Sequence, residues 1–144
     1  MSEDTINKSG FYAPVRVRFA DTDLQGHVFF ANYLTYCDEG FMAYLERLGY
    51  GWRKLGTMGL ELYYVECSCQ FKRKAFFGDL IHVNTRIVNF GKSSMTVEAL
   101  ISTSHSDDIV AVGRIAVVMA STQTGKSTPI PAEFIEAVKK FENL

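Results

Sequence analysis

The residues best placed to do chemistry cluster in one short stretch, FADTDLQGHVFFANY, residues 19–33. Asp21 and Asp23 flank Thr22, and Gly26 and His27 follow before the first residues of an apolar, helix-periodic segment. A helix N-terminus offers unpaired N–H donors and a partial positive charge. Such donors suit the oxyanion that develops when a carbonyl is attacked. A carboxylate on the preceding loop can supply the other half, as nucleophile or as general base for water. Asp23, Gly26 and the amides around Phe29 and Phe30 have that order along the chain, with Gly26 allowing the tight turn that lets them converge. The same spacing also fits plain helix capping by an aspartate, so chemistry and capping both stand at this point.

Other candidates are weaker. His27 can act as general acid/base or simply pack at the helix entrance. His82 falls mid-strand and His105 in a turn, without a context for a triad. On a helical wheel Asp38 lies at the margin of the apolar stripe and Glu39 on the far side, which makes Asp38 the second carboxylate to consider. Lys72, Arg73 and Lys74 form one basic patch, and Lys92 lies beside Ser93 and Ser94, a set able to meet phosphates. TGKST, residues 124–128, imitates the end of a phosphate-binding loop. The glycine that motif needs five residues before Gly125 is Ala120, and Pro129 biases Thr128 away from helix. A polar loop is expected there.

The elements that must position these residues are readable from periodicity. Val15, Val17 and Phe19 alternate with Arg16 and Arg18, a first strand with one wet face. From Phe30, the positions Tyr33, Leu34, Cys37, Phe41, Tyr44, Leu45 and Leu48 recur at three and four, a long helix ended by Gly49 and Gly51. Four strand-like segments follow, at 61–73, 80–90, 93–104 and 108–120, joined by FFGD, NFGKSS and SHSDD. Such short joints predict an antiparallel meander. Pro131 and Glu133 open a final helix bearing Phe134, Ile135, Val138 and Phe141. The expectation is α+β: one curved antiparallel sheet wrapped around one long central helix, over residues 11–144, after a flexible polar tail at 1–10. The exposed sheet edges of such a layout are commonly protected by a second copy, which predicts a homodimer or a dimer of dimers.

Composition narrows the function. The chain has 144 residues, 47% of them hydrophobic, and a net charge of −1, which leaves no electrostatic footprint for nucleic acid. No apolar run reaches membrane-spanning length. An odd cysteine count (Cys37, Cys67, Cys69) after a polar start predicts reduced thiols in a cytoplasmic setting. Cys67 and Cys69, two apart on a strand, should share a buried face with Tyr63, Val65 and Phe71, and no further ligand nearby suggests a metal site.

The stretch RVRFADTDLQGHVFFANYLTYCDE resembles the signature of the hydroxybenzoyl-CoA thioesterase family of hotdog-fold acyl-CoA thioesterases. The match is carried by Arg16-Val17, Thr22-Asp23, Gly26, Val28 and Tyr33. The element order, the FFGD turn and the GKSS hairpin are similar too. The resemblance implies a hotdog fold and hydrolysis of an aromatic or fatty acyl-CoA, with coenzyme A as part of the substrate and no cofactor. It places the catalytic aspartate on Asp23 and the carbonyl-polarising N–H near Phe30, leaving Asp21 as a structural loop residue. The basic patch Lys72, Arg73, Lys74 and the Lys92, Ser93, Ser94 hairpin would then face coenzyme A. His27 and Phe30 depart from the family's usual Ile, Val or Met and His or Tyr at those positions. A hotdog dehydratase or hydratase using His27, and a non-catalytic acyl-CoA or acyl-carrier binding module, are the alternatives.

Overall fold

The computed structural model describes residues 11–106 and 108–143, so the expected tail at 1–10 lies outside the described residues. In chain order the elements are β1 (Tyr12–Arg16), a 3-10 turn (Phe19–Asp21), α1 (Asn32–Leu48), α2 (Trp52–Thr57), β2 (Leu60–Phe71), β3 (Leu80–Phe90), β4 (Ser94–Thr103), β5 (Ile109–Ser121) and α3 (Ala132–Glu142). All five strands join one antiparallel sheet in the order β1-β3-β4-β5-β2. With α1 packed on one face, this is the expected α+β hotdog architecture.

The apolar stripe of α1 accounts for that packing. Tyr36, Cys37, Phe41, Tyr44 and Leu45 are all buried against the sheet. The helix also approaches β3 closely at Gly40, where an added Cβ would sit 2.4 Å from Cγ1 of Val83 and 2.9 Å from Oγ1 of Thr85. Helix geometry starts at Asn32, two residues later than the periodicity suggests. The Asn32, Tyr33 and Leu34 N–H groups donate to the carbonyls three residues back, on Phe29, Phe30 and Ala31. That is a tighter first turn than an α-helix makes.

The meander expectation holds for β3, β4 and β5 and fails for β2. β2 pairs with β5 on the opposite edge of the sheet from β1 and β3. FFGD is therefore the end of a longer crossover, residues 72–79, which spans three strand spacings of ~4.8 Å each. Short joints favour neighbouring strands only when the chain turns back at once, and here β2 stops at Phe71, well before FFGD. The crossover carries Lys72 to Phe77 over the sheet end near the start of α1.

The expected burial of the strand cysteines is also corrected. A bulge between Tyr64 and Glu66 shifts the β2 register, so Tyr64, not Tyr63 or Val65, shares the helix-side face with Cys67, Cys69 and Phe71. That face is incompletely covered, because α1 lies mainly over β1, β3 and β4. Cys67 is exposed and Cys69 half-buried, whereas Cys37 under the helix is fully buried and its thiol pKa is pushed up to about 12 by loss of water. The TGKST segment forms a turn closed by Ser121 N–H to the Lys126 carbonyl and Thr128 N–H to the Met119 carbonyl, both at 2.9 Å. No helix starts until Ala132, so it is the polar loop expected. Among the described residues no helix is long and apolar enough to cross a membrane.

Candidate active site

The Asp-Thr-Asp segment folds into a miniature hairpin between β1 and α1. Thr22 and Val28 form a bridge, the Asp23 N–H donates to the His27 carbonyl at 3.0 Å, and the Gly26 N–H returns to the Asp23 carbonyl at 3.0 Å. Gly26 has φ of 85°, a left-handed conformation that a side chain would strain. At the tip, Oδ1 of Asp23 accepts the Gln25 N–H at 2.8 Å, an Asx turn. Oδ2 has no hydrogen-bond partner among the described residues. Asp23 is half-buried. One carboxylate oxygen is thus fixed and the other is available.

The return leg of the hairpin is stitched to the crossover. His27 and Phe76 form a bridge, and the Val28 N–H donates to the Ala75 carbonyl at 2.9 Å. Val17 exchanges two further bonds of 2.9 Å with Asp79 and Gly78. His27 is half-buried edge-on to Phe76, with Nδ1 3.3 Å from the Val28 carbonyl oxygen.

Beyond Val28 the chain turns into α1. The Phe29 N–H donates to the Asp21 carbonyl at 2.9 Å. The next two N–H groups, of Phe30 and Ala31, have no acceptor among the described residues. Asp21 itself is 5% exposed. Its carboxylate accepts the Arg18 main-chain N–H at 3.0 Å, the Arg18 guanidinium at 2.9 Å and the Tyr36 hydroxyl at 3.0 Å. Burial alone would raise its pKa, but the hydrogen bonds from Arg18 and Tyr36, with the Arg18 charge, outweigh burial and hold it below the usual carboxylate range.

Asp23, His27, Phe30 and Tyr33 line a cavity of about 310 Å³, whose other side is Phe71 and the Lys72–Lys74 segment. The Tyr33 ring lies tilted 5.5 Å from Phe71, and Phe30 meets Phe71 edge-on at 6.2 Å. Loss of water raises the Tyr33 hydroxyl pKa, and its oxygen accepts the Ala75 N–H at 3.4 Å. The cavity therefore has an aromatic wall, a cationic rim, a carboxylate and a helix start. Such a set can hold an apolar group with an anionic tail and stabilise charge developing on a carbonyl between them. The sequence marks Phe71 only as a strand neighbour of Cys67 and Cys69; the signal that ties it to the site is its place at the last residue of β2, directly before the basic run.

The remaining candidates lie elsewhere. Gly26 and Phe29 shape the loop without lining the cavity. Lys92, Ser93 and Ser94 sit at the β3–β4 hairpin, where the Lys92 and Ser93 carbonyls accept the Ile130 and Met119 N–H groups. β3 starts beside the crossover and runs eleven residues to that hairpin, so they are about 33 Å from the Asp23 end within one chain. Asp38 accepts the Tyr64 hydroxyl and lines a second cavity of about 510 Å³ between α1, α2 and β2. Glu39 is exposed, and His82 stacks on Tyr12 at 4.1 Å.

Residues 17–138 match the profile of the Thioesterase-like superfamily. A curated relative from Aquifex aeolicus, described as a putative esterase, is 29% identical over 124 residues, covering 86% of this chain and 94% of the relative. A 1,4-dihydroxy-2-naphthoyl-CoA hydrolase from Synechococcus elongatus is 27% identical over 119 residues, covering 80% and 85%. Among solved structures, a gentisyl-coenzyme A thioesterase superposes with a TM-score of 0.78 at 29% identity, covering 89% of this chain and 98% of that one.

Proposed function

The chain belongs to the Thioesterase-like superfamily and is a thioester hydrolase, and from that premise we propose that it hydrolyses an acyl-CoA through Asp23. The observation that carries this reading is the meeting at one cavity of Asp23, with one carboxylate oxygen unengaged among the described residues, and Phe30, whose N–H just before α1 has no acceptor among them. The thioester carbonyl oxygen points at the Phe30 N–H, where the helix start stabilises the negative charge that develops on attack. Either Asp23 attacks the carbonyl carbon, expelling the coenzyme A thiolate and leaving a mixed anhydride for water to cleave, or Asp23 takes a proton from the attacking water. In both routes the products are free acid and coenzyme A, and no cofactor takes part.

An aroyl group is the acyl class that best suits the wall of Phe30, Tyr33 and Phe71. It also agrees with the naphthoyl and gentisyl substrates in the names of the relatives. Lys72, Arg73 and Lys74 at the rim suit the coenzyme A phosphates. We also propose a homodimer formed through β2, whose outer edge carries no strand partner among the described residues. An antiparallel β2–β2 junction brings the far end of one sheet beside the Asp23 end of the other. Lys92, Ser93 and Ser94 would then reach coenzyme A from the partner.

The test is free-thiol release from aroyl-, short-chain and long-chain acyl-CoAs by wild type and Asp23→Asn. Fast release from aroyl-CoAs that collapses in the variant is the expected result. Undiminished release by Asp23→Asn removes Asp23 from the chemistry. A single turnover in ¹⁸O water then tests the carboxylate route: label in Asp23 requires attack by the carboxylate, since water enters that carboxyl only through the anhydride.

A further inference from the structure

We propose that Asp21 is the positioning residue of this site, a brace that sets the Asp23 hairpin against the start of α1. The inference rests on the reading of Asp23 given above and extends it to a residue that does not line the cavity.

Asp21 accepts five hydrogen bonds, three on its carboxylate and two on its main-chain carbonyl. They come from three places. Arg18 supplies two from the residue that opens the 3-10 turn, two past the end of β1. Phe29 supplies one, at 2.9 Å, from the return leg of the hairpin. Two come from α1: the Asn32 side-chain amide at 2.8 Å and the Tyr36 hydroxyl at 3.0 Å. A residue that merely ended the 3-10 turn would need only the local Arg18 N–H; the bonds to Asn32 and Tyr36 reach 11 and 15 residues along the chain.

The placement of these bonds matters for the chemistry. The unengaged Phe30 and Ala31 N–H groups lie between Phe29 and Asn32, and both of those residues are tied to the one Asp21 carbonyl. Asp23 leaves from the other side of the same residue, separated from it by Thr22 alone. Carboxylate and N–H donors are therefore set relative to each other through Asp21. Displacements of about 1 Å between reacting groups cost on the order of 100-fold in rate, so such a brace bears directly on turnover. Its charge is also managed. A lone buried carboxylate near the helix start would oppose a developing oxyanion, and the Arg18 guanidinium on Oδ1 offsets it.

The experiment uses the full chain with Tyr36→Phe and Asp21→Asn, each alone and combined with Asp23→Asn. Thiol release is measured with benzoyl-CoA and palmitoyl-CoA as probes, and hydrogen exchange by mass spectrometry over residues 19–33. Tyr36→Phe keeps the buried ring and removes one bond, so it guards against a variant that fails to fold. The expected result is a fall in kcat of about 10- to 100-fold with KM within about twofold, faster exchange over residues 19–33, and a clearly smaller further fall in the Asp23→Asn background, where only the aim of the N–H donors is left to lose. Values of kcat within twofold of wild type for both variants would overturn the brace, as would losses that multiply undiminished onto Asp23→Asn. If Asp23→Asn is itself fully active, the reading of Asp23 fails on that measurement. Unchanged exchange over 19–33 in Asp21→Asn separately overturns the claim that Asp21 holds the loop.

Discussion

The Tyr36 hydroxyl donates to Oδ2 of Asp21 over 3.0 Å, joining the second turn of α1 to the loop that carries Asp23. The same carboxylate takes the Arg18 guanidinium on Oδ1 at 2.9 Å. Both bonds favour the ionised form, and despite burial its pKa lies below the usual carboxylate range.

That depression has a signed consequence for stability. A carboxylate whose folded pKa is lowered contributes stability that is fully present above its unfolded value, about 3.9, and is lost as pH falls through the folded one. The thermal midpoint of Asp21→Asn should therefore lie below that of wild type by a constant gap from pH 7 down to about pH 4.5, and the gap should close below it. Arg18 is largely exposed, so its share of the effect is weakened by solvent, and the bonds from Tyr36 and the Arg18 main chain carry more of it. Scanning calorimetry of both proteins from pH 7 to pH 2.5 measures this. A gap that does not change with pH would show that ionisation of Asp21 is irrelevant.

Asp23→Asn should separate binding from chemistry. The Asn side-chain oxygen can still accept the Gln25 N–H that now meets Oδ1 at 2.8 Å, so the hairpin is retained. The aromatic wall and cationic rim are untouched. The expected outcome is a kcat lower by about 10²- to 10⁴-fold with KM little changed. A raised KM at constant kcat would make Asp23 a binding group.

How much of this was legible beforehand depends on the range of the interaction. The stripe from Tyr33 to Leu48 and the hairpins of β3, β4 and β5 are local patterns, and they appear as expected. The pairing of β2 with β5 joins Phe71 to Ala111, forty residues apart, and alternation within a strand says nothing about which edge it will take. The bulge at Val65 reverses which of Tyr63, Tyr64 and Val65 face the helix, and the face that Cys67 and Cys69 do share is half open because α1 lies mainly over β1, β3 and β4. Asp23, Gly26 and the helix start were legible because they adjoin in sequence. Phe71 and Lys72–Lys74 join them only through the crossover. Lys92, Ser93 and Ser94 went to the opposite end because strand direction, unlike strand existence, leaves no local mark. The grip of Tyr36 on Asp21 is likewise invisible without the fold.

Gly40→Ala tests the close approach of α1 to β3. The new methyl would lie 2.4 Å from Cγ1 of Val83, itself fully buried, so helix or strand must shift. Overpacking of this kind costs about 1–3 kcal/mol, more than the helix preference of Ala over Gly returns. Gly56→Ala in α2 is the contrast, since nothing lies within 4 Å of its added Cβ. It should be neutral or stabilise by up to about 1 kcal/mol. Urea midpoints of the two variants should move in opposite directions or the second not at all; a stable Gly40→Ala would mean that α1 has room to slide.

The outer edge of β2 supplies the last test. Twelve residues of strand lie there, with Tyr63, Tyr64 and Val65 each more than 40% exposed. A long apolar edge is a template for pairing with another chain, and an acidic side chain on it opposes that pairing. Val65 is 61% exposed, so Val65→Asp leaves the core of the protomer intact. In sedimentation equilibrium the wild-type protein should run at twice the 16.2 kDa of one chain or a multiple of that, and Val65→Asp at 16.2 kDa. Thiol release should fall with dissociation, because within one chain Lys92, Ser93 and Ser94 lie at the other end of β3, a strand of about 33 Å, and in the proposed dimer they meet the substrate across the junction. A wild-type monomer with full activity would remove the dimer from the mechanism, and a Val65→Asp protein that stays dimeric would move the junction away from β2.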